Sequence, residues 1–365
     1  MKRVFFHVQH LLGIGHLKRA VVLCRALAAA GFDVTLASGG APVPALSFPG
    51  KRVQLPPMAA ADAAFKTFVD EAGRPIGEAW KERRKEMLLE AWRAAGADVL
   101  IVELFPFGRR QLRFELLPLL EAARGALVIC SVRDILQKRP EREAAAVGLI
   151  EAHFHKVLVH GDPDIAPFEM SFSAAAQLAD RLFYTGYVVE EAPVAGDAGR
   201  GEVLVSAGGG AVGRRLLETA LVARPLTRLR DRTWRLLGGI NASLEGVEPR
   251  SGVIIERARI DFATLLRNCE LSVSQAGYNT LLETLQARTR AVVVPFSQGS
   301  ETEQGMRARL FADRGLVAVL EERDLSPAAL AAAVDEAMAR PRPQASDIDL
   351  DGASRSAELV ARWVA

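Results

Sequence analysis

Short apolar runs alternate with amphipathic segments along most of the chain. "RVFFHVQH" has the length and apolar content of a buried parallel strand. "HLKRAVVLCRALAAAG" then places apolar residues at helical spacing and closes on Gly31, a natural C-terminal cap. "FDVTLASGG" reads as a second strand, and "ADVLIVELF", "ALVICSVRD" and "KVLVHGDP" as further buried ones. Between them "WKERRKEMLLEAWRAAG" and "FELLPLLEAARG" carry helical patterns. Such alternation predicts a doubly wound α/β half with a parallel sheet.

Periodicity fades in "YTGYVVEEAPVAGDAGRGE", which is rich in glycine, proline and acid, and then restarts. Strands are expected in "EVLVSAGGG", "TWRLLGG", "GVIIERA", "ELSVSQAG" and "RAVVVPF", with helices in "AVGRRLLETALVARPL", "YNTLLETLQAR" and "ETEQGMRARLFADRG". The predicted organisation is a first domain over 1–186, a linker over 187–201, a second domain over 202–340, and a tail with a short amphipathic helix over 341–365. That tail either crosses back onto the first domain or frays.

A chain of 365 residues, half of them apolar, is long enough for two such cores. Its 46 basic and 44 acidic residues give a net charge of +2, so no global field would recruit nucleic acid. Cys24, Cys130 and Cys269 lie far apart in apolar surroundings and read as reduced core residues of a cytoplasmic protein. The apolar start is interrupted by His7, Gln9 and His10, unlike a signal peptide, and no apolar run reaches the roughly 20 residues that span a bilayer. Basic residues in "WKERRKEMLLEAWRAA" and "FPFGRRQLRFELLPLL", interleaved with exposed-looking aromatic and leucine residues, nevertheless suit peripheral membrane contact; ordinary amphipathic helices share that composition.

Ligands of open parallel sheets bind outside the carboxyl ends of the strands, so the candidate chemistry lies in the strand-to-helix turns, facing a cleft between the domains. Gly13 and Gly15 allow a tight or positive-φ turn that places His16 in the first residues of a helix. There an imidazole stays neutral and fits a general base, or it simply caps and packs. Gly208, Gly209 and Gly210 leave backbone N–H groups bare before a helix, suited to a phosphate, although a flexible turn has the same composition. Ala276, Gly277 and Tyr278, preceded by Gln275, form a second such turn, with Asn279 and Thr280 as polar contacts. Glu283, one turn on, could accept from two ribose hydroxyls or be an ordinary exposed glutamate. Glu303 and Gln304 suit sugar hydroxyls, with Arg307 a surface or structural cation. The first-domain turns supply Glu103, Arg109, Arg110, Arg133 and Asp134, either as acceptor contacts or as salt-bridged loop surface.

In this order and spacing, the glycine turn at 208–210, "SQAGYNTLLE" followed by "VPF", "EQGMRA" and the N-terminal "GIGH" resemble family 28 of the GT-B glycosyltransferases, particularly the peptidoglycan N-acetylglucosaminyltransferases. The resemblance implies two Rossmann-like domains facing a central cleft and an inverting transfer from a nucleotide-sugar donor, UDP-linked, to a sugar, lipid-linked or small-molecule acceptor. His16 would be the base. Gly208, Gly209, Gly210, Gly277 and Asn279 would surround the diphosphate, with Gln275, Ala276 and Thr280 beside them. Glu283 would hold the ribose, Glu303 and Gln304 the sugar, and Arg259 and Ile260 the nucleotide base. Gly13, Gly15, Glu103, Arg133 and Asp134 would face the acceptor. No cofactor and no metal would be required, and the enzyme would work in the cytoplasm or at the inner face of the membrane. Two departures stand out: the family's serine-containing glycine motif is a plain glycine run, and the acidic residue of its sugar loop is replaced. "GIGHLKRA" is also similar to a GT-B-like nucleotide-sugar hydrolase of pseudaminic acid synthesis, in which the same histidine would activate water. A noncatalytic nucleotide-sugar-binding protein is the remaining alternative.

Overall fold

The computed structural model describes residues 1–11, 13–61, 67–192, 195–207, 213–239, 250–257, 259, 261–297, 301–344 and 348–365. The chain divides into two compact units, one formed by residues 1–189 with 349–365, the other by 190–348. The crossings thus fall at 189/190 and 348/349, and residues 341–348, read above as tail, go with the second unit.

Unit 1 contains β1 (Arg3–Val8), α1 (Gly15–Ala29), β2 (Asp33–Ser38), β3 (Lys51–Gln54), β4 (Ala59–Ala60), β5 (Phe68–Val69), α2 (Glu78–Ala95) and β6 (Val99–Glu103). It continues with α3 (Arg113–Ala122), β7 (Leu127–Arg133), α4 (Pro140–His153), β8 (Lys156–His160) and β9 (Leu182–Tyr184). Among the described residues seven strands pair in parallel in the order β3-β2-β1-β6-β7-β8-β9. The strand order reverses at β1, so the ends of β1 and β6 flank the switch point where such sheets bind ligands. β6 is buried along its whole length, as a strand covered on both faces must be. Helix α1 buries Leu17, Ala20, Val21, Cys24 and Leu27 at helical spacing, and Gly31 follows it at φ +89°, a left-handed conformation that favours glycine.

Unit 2 contains β10 (Val203–Ser206), α5 (Arg214–Ala223), β11 (Trp234–Gly238), β12 (Val253–Arg257), α6 (Phe262–Asn268), β13 (Leu271–Ser274) and α7 (Tyr278–Gln286). There follow β14 (Ala291–Val293), α8 (Glu303–Ala312), β15 (Ala318–Val319) and α9 (Pro327–Ala339). Its described strands are also parallel, in the order β12-β11-β10-β13-β14-β15, with the reversal at β10 and β13. The last helix, α10 (Gly352–Val364), belongs to unit 1 and buries Ala357 and Val360 with the α1 side chains. The Trp363 ring stands edge-on to Phe183, with centroids 4.9 Å apart.

The aromatic and leucine residues read above as exposed on two basic segments are instead buried in the core or, like Trp80, Leu89, Phe107, Phe114 and Leu117, partly buried against it. Leu88 and Trp92 of α2, Leu112, and Leu116, Leu119 and Leu120 of α3 are all buried under the sheet, because each amphipathic helix covers the sheet with its apolar stripe. Among the described residues, no helix is long and apolar enough to cross a membrane. All three cysteines are free and buried.

Candidate active site

Four neighbouring strand ends of unit 1 assemble one polar network. The β1–α1 turn delivers His16, whose side chain is 14% exposed, with Nδ1 3.1 Å from Glu103 Oε1 at the end of β6. Gly15 is the first helical residue, so its backbone takes the right-handed helical conformation rather than the positive φ allowed for above. Arg19, one turn along α1 and buried, contacts the same Glu103 oxygen. Glu103 Oε2 accepts from Ser131 Oγ on β7 at 2.6 Å, and the parallel register places these two residues opposite each other. Ser131 Oγ lies 2.9 Å from His160 Nε2 at the end of β8, and His160 Nδ1 lies 3.0 Å from Thr185 Oγ1, just past β9.

The protons in this chain follow from the charge on Glu103. Burial disfavours the Glu103 carboxylate, yet Arg19, then His16 and Ser131, hold its pKa well below the usual range. An ionised acceptor draws every donor toward itself. Ser131 therefore donates to Glu103 and His160 donates from Nε2 to Ser131, while the Thr185 hydroxyl beside His160 Nδ1 also has the Gly186 carbonyl as an acceptor at 2.8 Å. By the same logic His16 carries its proton on Nδ1 and donates it to Glu103, which leaves Nε2 with a free lone pair. Burial, with Arg109 next, lowers the His16 pKa to about 3, against the opposing hydrogen bond of Glu103. Burial and the charge of Arg19 likewise lower His160 to about 3. His16 is thus neutral at physiological pH, but desolvation and arginines, rather than the helix end alone, keep it so.

Of the other first-domain candidates, Asp134 is fully buried rather than part of a loop surface, and Arg133 ends β7 opposite His160. Gly13 lies in the turn before α1. Ser131, His160, Thr185 and Arg19 were not singled out from the sequence; the signal available for His160 was a histidine closing a buried apolar run, the pattern that also marks Glu103.

In unit 2 the β13–α7 turn carries Gln275, buried Ala276 and Gly277, which caps α7 at φ −64° with open space where a Cβ would stand. Asn279 and Thr280 occupy the first turn of α7, and the Thr280 carbonyl accepts from Thr284 Oγ1 at 2.7 Å. Glu283 is buried, so the exposed-glutamate alternative does not hold. Glu303, also buried, pairs with Arg307 at 3.0 Å; Arg307 is itself fully buried and lies 5.3 Å from the Tyr278 ring, so it is a structural cation. Gln304 Oε1 accepts from the Phe296 amide at 3.1 Å. Arg259 grips Asp261 with both forks at 2.7 and 2.6 Å and closes a ladder of alternating charge running Glu202–Arg235–Glu256–Arg259–Asp261. Gly208, Gly209, Gly210 and Ile260 lie outside the described residues.

Two parallel sheets of this order, one in each unit, define the two Rossmann-like domains of the GT-B glycosyltransferase fold, and solved structures agree along the whole chain. The spinosyn rhamnosyltransferase SpnG complexed with thymidine diphosphate matches at TM-score 0.64 and 17% identity over 100% of both chains. MurG of Acinetobacter baumannii matches at TM-score 0.60 and 13% identity over 99% of this chain and 100% of that one. Within this class, residues 257–361 match the glycosyltransferase family 28 C-terminal domain. The UDP-N-acetylglucosamine--N-acetylmuramyl-(pentapeptide) pyrophosphoryl-undecaprenol N-acetylglucosamine transferase of Geobacillus kaustophilus is 30% identical over 169 residues, 43% of this chain and 47% of that protein. The matched segments span from about a fifth to about half of the length of such curated relatives.

Proposed function

We propose that the chain is a glycosyltransferase that moves a sugar from a nucleoside diphosphate donor, UDP-linked, to an acceptor hydroxyl with inversion and without a bound metal. The observation that carries this reading is the pairing of part-buried His16 with buried Glu103 at the switch point of the unit 1 sheet. With Nδ1 committed to Glu103, Nε2 takes the acceptor proton as the oxygen attacks the anomeric carbon. The bond to the donor phosphate oxygen breaks with its electron pair, and the nucleoside diphosphate departs. Unit 2 supports the donor side: Gly277 leaves the α7 amide end open, and buried Glu283 stands one turn further on, where its carboxylate would receive ribose hydroxyls. We place the protein in the cytoplasm. If its acceptor is lipid-linked, contact with the membrane is peripheral.

A panel of nucleotide sugars, incubated with and without candidate acceptors and read by product mass, tests the proposal. A transferase releases sugar slowly from the donor alone and accelerates with its acceptor. Rapid acceptor-independent release would instead make the protein a hydrolase with water at His16, and binding without turnover of any donor would make it a carrier. His16→Ala is expected to lower turnover by about two to four orders of magnitude with nucleotide affinity nearly unchanged. Turnover at the wild-type rate would remove His16 from the chemistry. Chelation of divalent ions is expected to leave the rate unaltered.

A further inference from the structure

A second feature of unit 1 lies beside the His16 network and is not explained by it. The loop after β6 carries two non-glycine residues in the left-handed region, Leu104 at φ 68° and Arg109 at φ 59°. Such conformations cost energy in residues with a Cβ and persist where the surroundings enforce them. Here the loop closes through the Gly108 amide to the Leu104 carbonyl at 3.0 Å, and it aims a guanidinium inward. Arg109 Nε donates to the Gln9 carbonyl at 3.1 Å, and among the described residues no carboxylate lies within ion-pair distance of it. Burial, with Arg133 next, lowers its pKa to about 10. A part-buried cation held by a backbone carbonyl and crowded by Arg133 and Arg19, with only the more distant Glu103 charge to offset them, becomes more favourable when an anion arrives.

Arg109 also lines an open surface cavity, together with Arg110, Arg139, Arg142 and Phe107. Arg110 is exposed and makes no ion pair among the described residues. Arg142 touches Glu141 at 3.2 Å, but both are about half exposed, and such a pair contributes little. The acid on the cavity wall, Glu143, is already engaged: its Oε2 accepts from Ser173 Oγ at 2.6 Å and the Ala174 amide at 2.9 Å. The N-terminal end of α4, opening with Pro140, adds its dipole to the same wall. Planar guanidinium forks match carboxylate and phosphate oxygens two at a time.

We propose that this cavity binds an anionic group, phosphate or carboxylate, carried by the acceptor whose hydroxyl His16 deprotonates. The inference rests on the transferase reading for the word acceptor, but the anion site stands on Arg109 and the cavity alone. It also bears on catalysis. Of the arginines lining the cavity, Arg109 is the charge that most depresses His16, so an anion on it relieves that field and makes Nε2 a stronger base once the acceptor is seated.

The test is titration calorimetry of the full chain, first with UDP and then, at UDP saturation, with inorganic pyrophosphate, so that any diphosphate site of unit 2 is already filled. UDP binding reports on the donor reading, and the second titration reports on the cavity. Pyrophosphate is expected to bind the UDP-saturated protein and to weaken by about tenfold or more in Arg109→Gln and in Arg110→Gln. Arg110 is exposed, so its variant remains informative if Arg109→Gln folds poorly. Absence of pyrophosphate binding, or equal weakening in Arg323→Gln, an exposed arginine of unit 2, would overturn the site. Two further arms locate the source of the anion. Tighter binding of glucose 1-phosphate than of inorganic phosphate supports a soluble acceptor, and capture by phosphatidic acid vesicles that is lost in Arg110→Gln supports a lipid-borne one.

Discussion

His16 faces two opposing influences, a carboxylate that favours its protonation and three arginines that oppose it, and burial tips the outcome to the neutral ring. The value of the Glu103 contact is therefore geometric: it fixes the tautomer and the plane of the imidazole. Ser131 fixes Glu103 in turn, so Ser131→Ala removes a 2.6 Å charge-assisted bond without touching a substrate. We expect kcat to fall about tenfold, nucleotide affinity to hold, and Ser131→Thr to recover most of the loss. An unchanged kcat would confine Ser131 to packing. His16 was legible from the sequence because glycines frame it at a strand-to-helix turn. Ser131 and His160 were not, since Ser131 meets Glu103 across 28 residues and His160 meets Ser131 across 29, by strand register that no local pattern records.

At the scale of elements, long apolar runs and several helices with an apolar stripe were readable, whereas β3, β4, β5, β9, β15 and the helices α4, α6 and α9 were not singled out. β3 has no buried residue and β15 has only two residues, so neither prints an apolar run. β9 lies in a stretch where periodicity is already fading. The fate of the last helix depended on tertiary contacts, which the sequence left open. α10 is tied to unit 1 at its start: the Gly352 amide donates to the Tyr187 carbonyl at 3.0 Å, and a Cβ on Gly352 would come within 2.4 Å of the Gly186 carbonyl oxygen. Deleting residues 349–365 uncovers the α1 side chains beneath Val360 and Ala357. The loss is expected to be at least about 3 kcal/mol, the order of exposing two large apolar side chains, and to appear as a lower urea midpoint of unit 1 with that of unit 2 unchanged. Equal midpoints with and without α10 would show the helix to be dispensable.

Across the whole molecule, titratable groups are unevenly shared. All six histidines lie in unit 1, and three, buried or part-buried, have depressed pKa values, about 4 for His10 and about 3 for His16 and His160. Their stabilisation is complete above the ordinary value of 6.5 and is lost as pH falls toward 3, because the unfolded chain binds protons that the folded one refuses. Each contributes a slope of up to about 1.4 kcal/mol per pH unit in that window. Glu103, whose pKa is also lowered, adds a loss of the same sign at the acid end. Hydrogen exchange during acidification should therefore show unit 1 losing protection before unit 2, and simultaneous loss would contradict this account. The path of the chain carries a further consequence for biosynthesis. Unit 2 interrupts unit 1 in the sequence, so the emerging polypeptide finishes the second unit while the first still lacks its last helix. On the ribosome, the core of unit 1 waits for residues made after unit 2. In that interval the bare face of α1 is what a chaperone would meet.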